Sequence, residues 1–205
     1  MEEAIARGLP RSLSDAVWWM LGILDALEAF HSAGCLHMDI SPDNILIVRQ
    51  AKRDQLFLID YNSVHSMEEW QDGAPLIFSV KEGYTAPEIR TGATWQLGFA
   101  ADLYAVTAVF FTLLTGRRLA VADQIAGKPL SFQESALLRD APEPVTAMVG
   151  RILARGLQTL PVRRYRSIAQ MRRDLEELLD RIHCMQRAGN HRSPCGNQED
   201  RRERI

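Results

Sequence analysis

The sequence predicts a mainly α domain, of the α+β kind, with one short β-hairpin set among its helices. Three observations carry this. Val17, Leu21, Leu24, Leu27 and Phe30 recur at three- and four-residue steps, which places one apolar helix face over residues 12 to about 31. Ile45 to Val48 and Leu56 to Ile59 are short apolar runs separated by a polar turn, the pattern of a hairpin. Further helices are expected at about 98–115, 131–139, 143–157 and 167–182.

Taken in chain order, residues 1–11 form a leader. Ser12 and Asp15 stand at capping-box spacing and open the first long helix. Ser32-Ala33-Gly34 closes it. Trp18 and Trp19 read as packing and rim residues of that helix, and Cys35 as a small buried hydrophobe beyond it. After the hairpin, Asn62 to Tyr84 is irregular, with charge, Gly and Pro. Gly116 stops the 98–115 helix. Its apolar run from Ala105 to Leu114 is too short to span a bilayer and reads as a buried helix. Pro142 lies near the start of the 143–157 helix, and Ser167 can cap the last one. There Ile168, Met171, Leu175, Leu178 and Leu179 form the inner face, while Arg172, Arg173, Asp174, Glu176 and Glu177 form the solvated one. Residues 184–205 turn polar and charged. They are expected to be a disordered tail behind a domain of residues 1–183.

Composition narrows the function classes. A chain of 205 residues, 46% of them apolar, can bury one sizeable core. A net charge of −2 gives no global electrostatic case for nucleic acid or an acidic membrane. Three cysteines, an odd count without a signal-like leader, suit a reducing compartment and a cytoplasmic location. His183, Cys184, His191 and Cys195 match no standard zinc spacing.

The chemistry concentrates in His37-Met38-Asp39-Ile40-Ser41-Pro42-Asp43-Asn44. Asp39 and Asn44 sit on one short Pro-containing loop, and the hairpin that follows returns a second carboxylate, Asp60, towards it. Two acids and an amide oxygen converging on one place suit a divalent cation on phosphates.

This octet resembles the catalytic loop of protein kinases, H-R-D-L-x-x-x-N. Three further stretches resemble the same family in the same order. They are Ala86-Pro87-Glu88 at the end of an activation segment, Ala101-Asp102-Leu103-Tyr104 at the start of the central buried helix, and Pro161-Val162-Arg163-Arg164-Tyr165 late in the chain. The resemblance covers about residues 12–182 and is to the large helical lobe of eukaryotic-type serine/threonine kinases, of the kind bacteria also carry.

The resemblance implies roles. Asp39 is the base that orients the substrate hydroxyl, and Asn44 and Asp60 are ligands of Mg2+ on ATP. Leu46 lies under the adenine ring, between Ile45 and Ile47. His37 packs beneath the Asp60 segment, Tyr61 fills an aromatic position beside it, and Asp102 tethers the loop backbone. Glu88 pairs with Arg164, with Arg163 as the competing candidate. The leader holds what remains of the helix after the hinge, and Asn62 to Tyr84 is the activation segment. The implied partner is a protein carrying Ser or Thr.

Several positions depart from the family pattern. Met38 replaces an arginine that pairs with a phosphorylated activation segment, which argues against that form of switching. Ser41 stands where serine/threonine kinases carry a lysine. A serine can hydrogen-bond but cannot neutralise developing phosphoryl charge, so a loss of rate is expected. Asp60-Tyr61-Asn62 stands for D-F-G. Residues 1–36 contain no lysine, and their glycines, Gly8, Gly22 and Gly34, cannot form G-x-G-x-x-G. The expectation is a large lobe without its small lobe, the latter truncated, separately encoded or lost. Three function classes follow: a protein kinase, weak or inactive as this chain; a pseudokinase interaction module; and an aminoglycoside- or choline-type small-molecule kinase. Ala86-Pro87-Glu88, Asp102 and Arg164 argue against the last.

Overall fold

A computed structural model describes residues 1–51, 53–68, 79–93, 97–120 and 131–190. Six helices carry the described chain: α1 (Glu2–Ala6), α2 (Leu13–Ser32), α3 (Pro87–Arg90), α4 (Phe99–Thr115), α5 (Glu143–Gly156) and α6 (Ile168–Asn190). Four short strands accompany them: β1 (Cys35–Leu36), β2 (Ile45–Val48), β3 (Gln55–Leu58) and β4 (His65–Ser66).

Local chemistry accounts for the helix ends. The Asp15 N–H donates to Ser12 Oγ at 3.0 Å, which caps α2. Gly34, at φ 72°, takes the left-handed turn beyond it. Gly116, at φ 71°, does the same for α4. Gln170 N–H donates to Ser167 Oγ at 3.3 Å at the start of α6.

Helix α4 is the axis of the core. Every residue from Ala101 to Leu114 is buried, so the helix shows no amphipathic stripe and needs partners all round. Helix α2 packs on one side of it and α5 on another, and α6 packs against both α2 and α5. Burial of side chains such as Phe110 and Phe111 contributes about 1.5–3 kcal/mol each. The α4–α5 crossing is close because Gly156 has no side chain. A Cβ there would lie 2.0 Å from Thr107 Oγ1.

The expected hairpin forms and pairs antiparallel, Ile45 with Leu58 and Leu46 with Phe57. Ile45, Leu56 and Leu58 face inward onto α2, where a Cβ on Gly22 would meet Leu56 Cδ1 at 2.9 Å. The alternate residues face out. Leu46 is 48% exposed, Val48 38%, Phe57 41% and Ile59 39%, with Tyr61 beside them at 59%. Such a cluster in a small domain is an association surface. The chain is therefore expected to bind an apolar dye and to self-associate. Sedimentation at micromolar concentrations checks this, and a clean monomer without dye signal would count against it.

The structure differs from the sequence expectations in several places. Residues 131–139 are not an α-helix; only a 3-10 turn, Ala136–Leu138, forms. Ser135 diverts its hydroxyl to the Leu114 carbonyl and accepts from the Leu137 N–H, and Pro142 disfavours helical backbone at Ala141. Helix α6 runs past residue 182 to Asn190, so the expected tail is helical over 184–190. Met185 packs against the core there. The rest of that tail, 191–205, lies outside the described residues, as do 69–78 of the Asn62–Tyr84 segment. Cys35 is half-buried rather than buried, because it sits in strand β1, which pairs with β4 at the surface. Among the described residues no helix is long and apolar enough to cross a membrane.

Candidate active site

The loop between β1 and β2 is held from below by one carboxylate. Asp102, buried in the first turn of α4, accepts the His37 N–H at Oδ2 and the Met38 N–H at Oδ1, both at 2.9 Å. Its Oδ2 also lies 2.9 Å from His31 Nε2 of α2. Two backbone donors of the loop and an imidazole of α2 thus meet one acceptor. The hold is firm enough to keep Met38 at φ 64°, a left-handed conformation that side chains rarely adopt. His31 was not legible in the sequence. It continues the apolar face of α2, four residues after Leu27 and seven after Leu24, and only the crossing with α4 gives it a polar partner.

With the loop so fixed, Asn44 in the 3-10 turn Pro42–Asn44 reaches back to Asp39. Its Nδ2 donates to the Asp39 carbonyl at 2.8 Å and to Asp39 Oδ2 at 2.9 Å. Both amide hydrogens are then committed, which leaves Asn44 Oδ1 as the end offered to a cation. The Ile59 N–H donates to the Asn44 carbonyl at 3.0 Å, so the hairpin exit is tied to the same turn, with Asp60 next in line. Asp60 is exposed, at φ 65°, and its Oδ1 accepts from Asn62 Nδ2 at 2.7 Å. This all-oxygen set suits a hard cation such as Mg2+.

An aromatic trio supports the loop from the side. The Phe30 and His37 rings are 5.3 Å apart, Phe30 and Tyr61 5.6 Å, and His37 and Tyr61 6.1 Å. Tyr61 Oη donates to the Leu58 carbonyl at 2.7 Å. His37 is fully buried, and burial pushes its imidazole below the ordinary 6.5. Asp102, Asp39 and Asp60 pull the other way without outweighing it, and Lys81 adds to the depression.

A folded state that keeps His37 neutral has a consequence for pH. The unfolded chain binds a proton near 6.5 that the folded chain refuses. This contribution to stability is full above that pH. It is lost as pH falls through the window between 6.5 and the depressed folded value. Urea melts from about pH 7.5 to about pH 5 are expected to show that slope, and His37→Gln to flatten it.

A further residue joins the loop that the sequence reading had not singled out. Lys81 Nζ lies 2.9 Å from Asp43 Oδ2, 3.1 Å from Ser41 Oγ and 3.2 Å from Asp39 Oδ1. Burial opposes its charge, but hydrogen bonds to Asp43 and Asp39 outweigh that and raise its pKa. Asp43 moves oppositely. Desolvation would raise it, and bonds from Ser41 and Lys81 bring it below the usual range.

Glu88 and Arg164 meet as a bidentate pair. Arg164 Nη1 donates to Glu88 Oε1 at 2.8 Å and Nη2 to Oε2 at 2.7 Å. The remaining guanidinium hydrogens go to the carbonyls of Gln158 at 2.6 Å, Thr159 at 2.8 Å and Ala100 at 3.4 Å. Arg163, the other candidate, is exposed in a 3-10 turn. Leu46 stands apart from these groups, on the outward face of the hairpin.

A family model described as protein kinase domain matches residues 1–185. The serine/threonine-protein kinase Pkn1 of Myxococcus xanthus is 31% identical over 181 residues, covering 84% of this chain and 25% of that protein. PknG of Mycolicibacterium smegmatis is 31% identical over 183 residues, covering 86% of this chain and 21% of that one. The chain spans about a quarter of the length of these curated relatives. The kinase domain of Mycobacterium tuberculosis PknI superposes with a TM-score of 0.60 at 23% identity, over 86% of this chain and 60% of that one, which shows a shared fold.

Proposed function

The chain belongs to the protein kinase family, in its bacterial serine/threonine branch, and from that premise we propose that its Asp39 site transfers the γ-phosphate of ATP to a protein Ser or Thr hydroxyl. Asp39 orients that hydroxyl and takes its proton as the oxygen bonds to phosphorus and ADP leaves. Asn44 and Asp60 are the residues to hold Mg2+, which supplies charge neutralisation on the phosphates. Leu46 offers apolar contact to adenine from the hairpin. His37, Tyr61 and Asp102 hold the loop, and the Glu88–Arg164 pair anchors the end of the activation segment. The observation that carries the reading is Asn44, whose amide hydrogens both serve Asp39 and so leave its oxygen as the end available to a cation. The three cysteines, suited to a reducing compartment, support a cytoplasmic location.

The groups that would grip the nucleotide from the other side are not found in residues 1–36, which lack lysine. A small lobe, joined in cis or supplied in trans, is the partner this site needs. A second reading, a pseudokinase module whose surface is the useful part, draws on Met38 and Ser41, which depart from the family's catalytic loop. Positioning and charge stabilisation supply most of the rate in phosphoryl transfer. The purified 205-residue chain is therefore expected to show no measurable transfer to Ser/Thr peptides. The same chain fused behind a glycine-rich lobe is expected to transfer phosphate, with a drop of about 100-fold or more on Asp39→Asn. A folded, nucleotide-binding fusion that transfers nothing would favour the pseudokinase reading. Robust Asp39-dependent transfer by the chain alone would show that the second lobe is dispensable.

A further inference from the structure

Lys81 is held in place by more than its ammonium. Its N–H donates to Thr85 Oγ1 at 2.7 Å, and its carbonyl accepts from the Thr85 N–H at 3.0 Å and the Tyr84 N–H at 3.1 Å. The turn behind it depends on Gly83, at φ 88°, where a Cβ would meet the Leu119 carbonyl at 3.0 Å. The side chain is only 26% exposed. Ordering a lysine side chain costs rotamer freedom, so a surface lysine gains little by lying here. At its end three oxygens converge, from Asp39, Ser41 and Asp43.

We propose that Lys81 is the positioning cation of this site, fixing Asp39 Oδ1 while Asn44 fixes Oδ2, and bringing to the loop the positive charge that Ser41 cannot carry. The proposal rests on the kinase reading above. Each carboxylate oxygen of Asp39 then has one donor, which sets the plane in which the base faces an incoming hydroxyl. The charge reaches the loop through space from the segment before α3, across the 3.1 Å contact to Ser41. Drift at residue 41 is thereby offset at residue 81. A lysine that merely ties the segment to the loop would contribute to stability and leave turnover alone.

Two measurements on the full chain separate these. The sequence has three lysines, Lys52, Lys81 and Lys128, so the side-chain ammonium signal of Lys81 can be assigned by substitution. In the chain alone it is expected to exchange protons slowly and to shift on Asp39→Asn. A signal indifferent to Asp39→Asn overturns the proposal, whatever the activity. In the lobe-fused chain, Lys81→Met is expected to lower kcat about 100-fold, the scale of removing one transition-state donor, with KM for ATP unchanged. Tm should stay close to the parent's, and Lys81→Arg should recover part of the rate. The swap Ser41→Lys with Lys81→Thr, which moves the charge back across that contact, is expected to restore most of it. A Lys81→Met protein that works at the parent rate overturns the proposal and leaves the kinase reading standing. A loss of rate matched by a loss of Tm and unrelieved by the swap also overturns it. A folded parent without Asp39-dependent transfer overturns the kinase reading, and the proposal with it.

Discussion

Arg164→Met is expected to destabilise the domain by about 3–5 kcal/mol, because it strands the buried Glu88 carboxylate. Both side chains are essentially inaccessible, and they sit 76 residues apart in sequence. The desolvation of two charges is offset here by a bidentate contact and by three carbonyls that take the other guanidinium hydrogens. Glu88→Gln leaves the guanidinium half-satisfied and is expected to cost a similar amount. The double variant should cost clearly less than the sum of the two, since the charge that each single change leaves behind is then gone. Chemical denaturation of the four proteins checks this. Additive effects below about 1 kcal/mol would refute the pairing as a support of the fold. A loss of this size is a large share of the roughly 5–15 kcal/mol that holds a domain together.

The second large effect is expected at Asp102. Asp102→Ala removes the acceptor of two buried backbone donors, at His37 and Met38, and leaves His31 without its partner on α4. Each stranded donor costs about 1–3 kcal/mol. The left-handed backbone at Met38 loses what holds it, so the Asp39 loop is expected to relax as well. Asp102→Asn keeps the shape but turns an N–H2 towards one of the two backbone N–H groups, and is expected to recover only part of the loss. Thermal melts of both variants, with Asp39 and Asn44 backbone signals as local reporters, check the result. Stability within about 0.5 kcal/mol of the parent, as surface changes give, would show that the loop stands without its tether.

How much of this could be read beforehand follows from where each signal lies. Asp39, Asn44 and Asp60 were legible because their chemistry is local, a loop and the hairpin that follows it. The α2 and α4 helices were legible because burial writes a period or an unbroken apolar run into the sequence. Glu88 and Arg164 carry no local mark of one another. They were paired only through the family resemblance, and the geometry agrees. Lys81 was missed because its segment has no period, and its contacts to residues 39, 41 and 43 exist only after folding. The overextended α6 has a different cause. Residues 184–190 are polar, which was read as disorder, yet Met185, Gln186, Arg187 and Ala188 are good helix formers and continue a helix already nucleated. The opposite error at 131–139 came from trusting Leu and Ala over Ser135 and Pro142, whose side-chain and backbone chemistry breaks the turn.

Helix α6 packs on α2, and its Arg172 reaches Asp25 at 2.7 Å and Glu28 at 3.1 Å across the whole intervening chain. A ribosome delivers α2 well before α6. Until Ile168 to Ile182 emerge, the apolar face of α2 has no cover on that side, and α5 lacks the same neighbour. The nascent chain can pack α2, α4, α5 and the hairpin earlier, but the faces of α2 and α5 that α6 covers stay open until a late step closes them. Loop closure over so long a span makes that step slow and exposes it to aggregation. For this domain α6 is the clasp, and a chain that lacks it leaves those faces for chaperones to hold or proteases to remove.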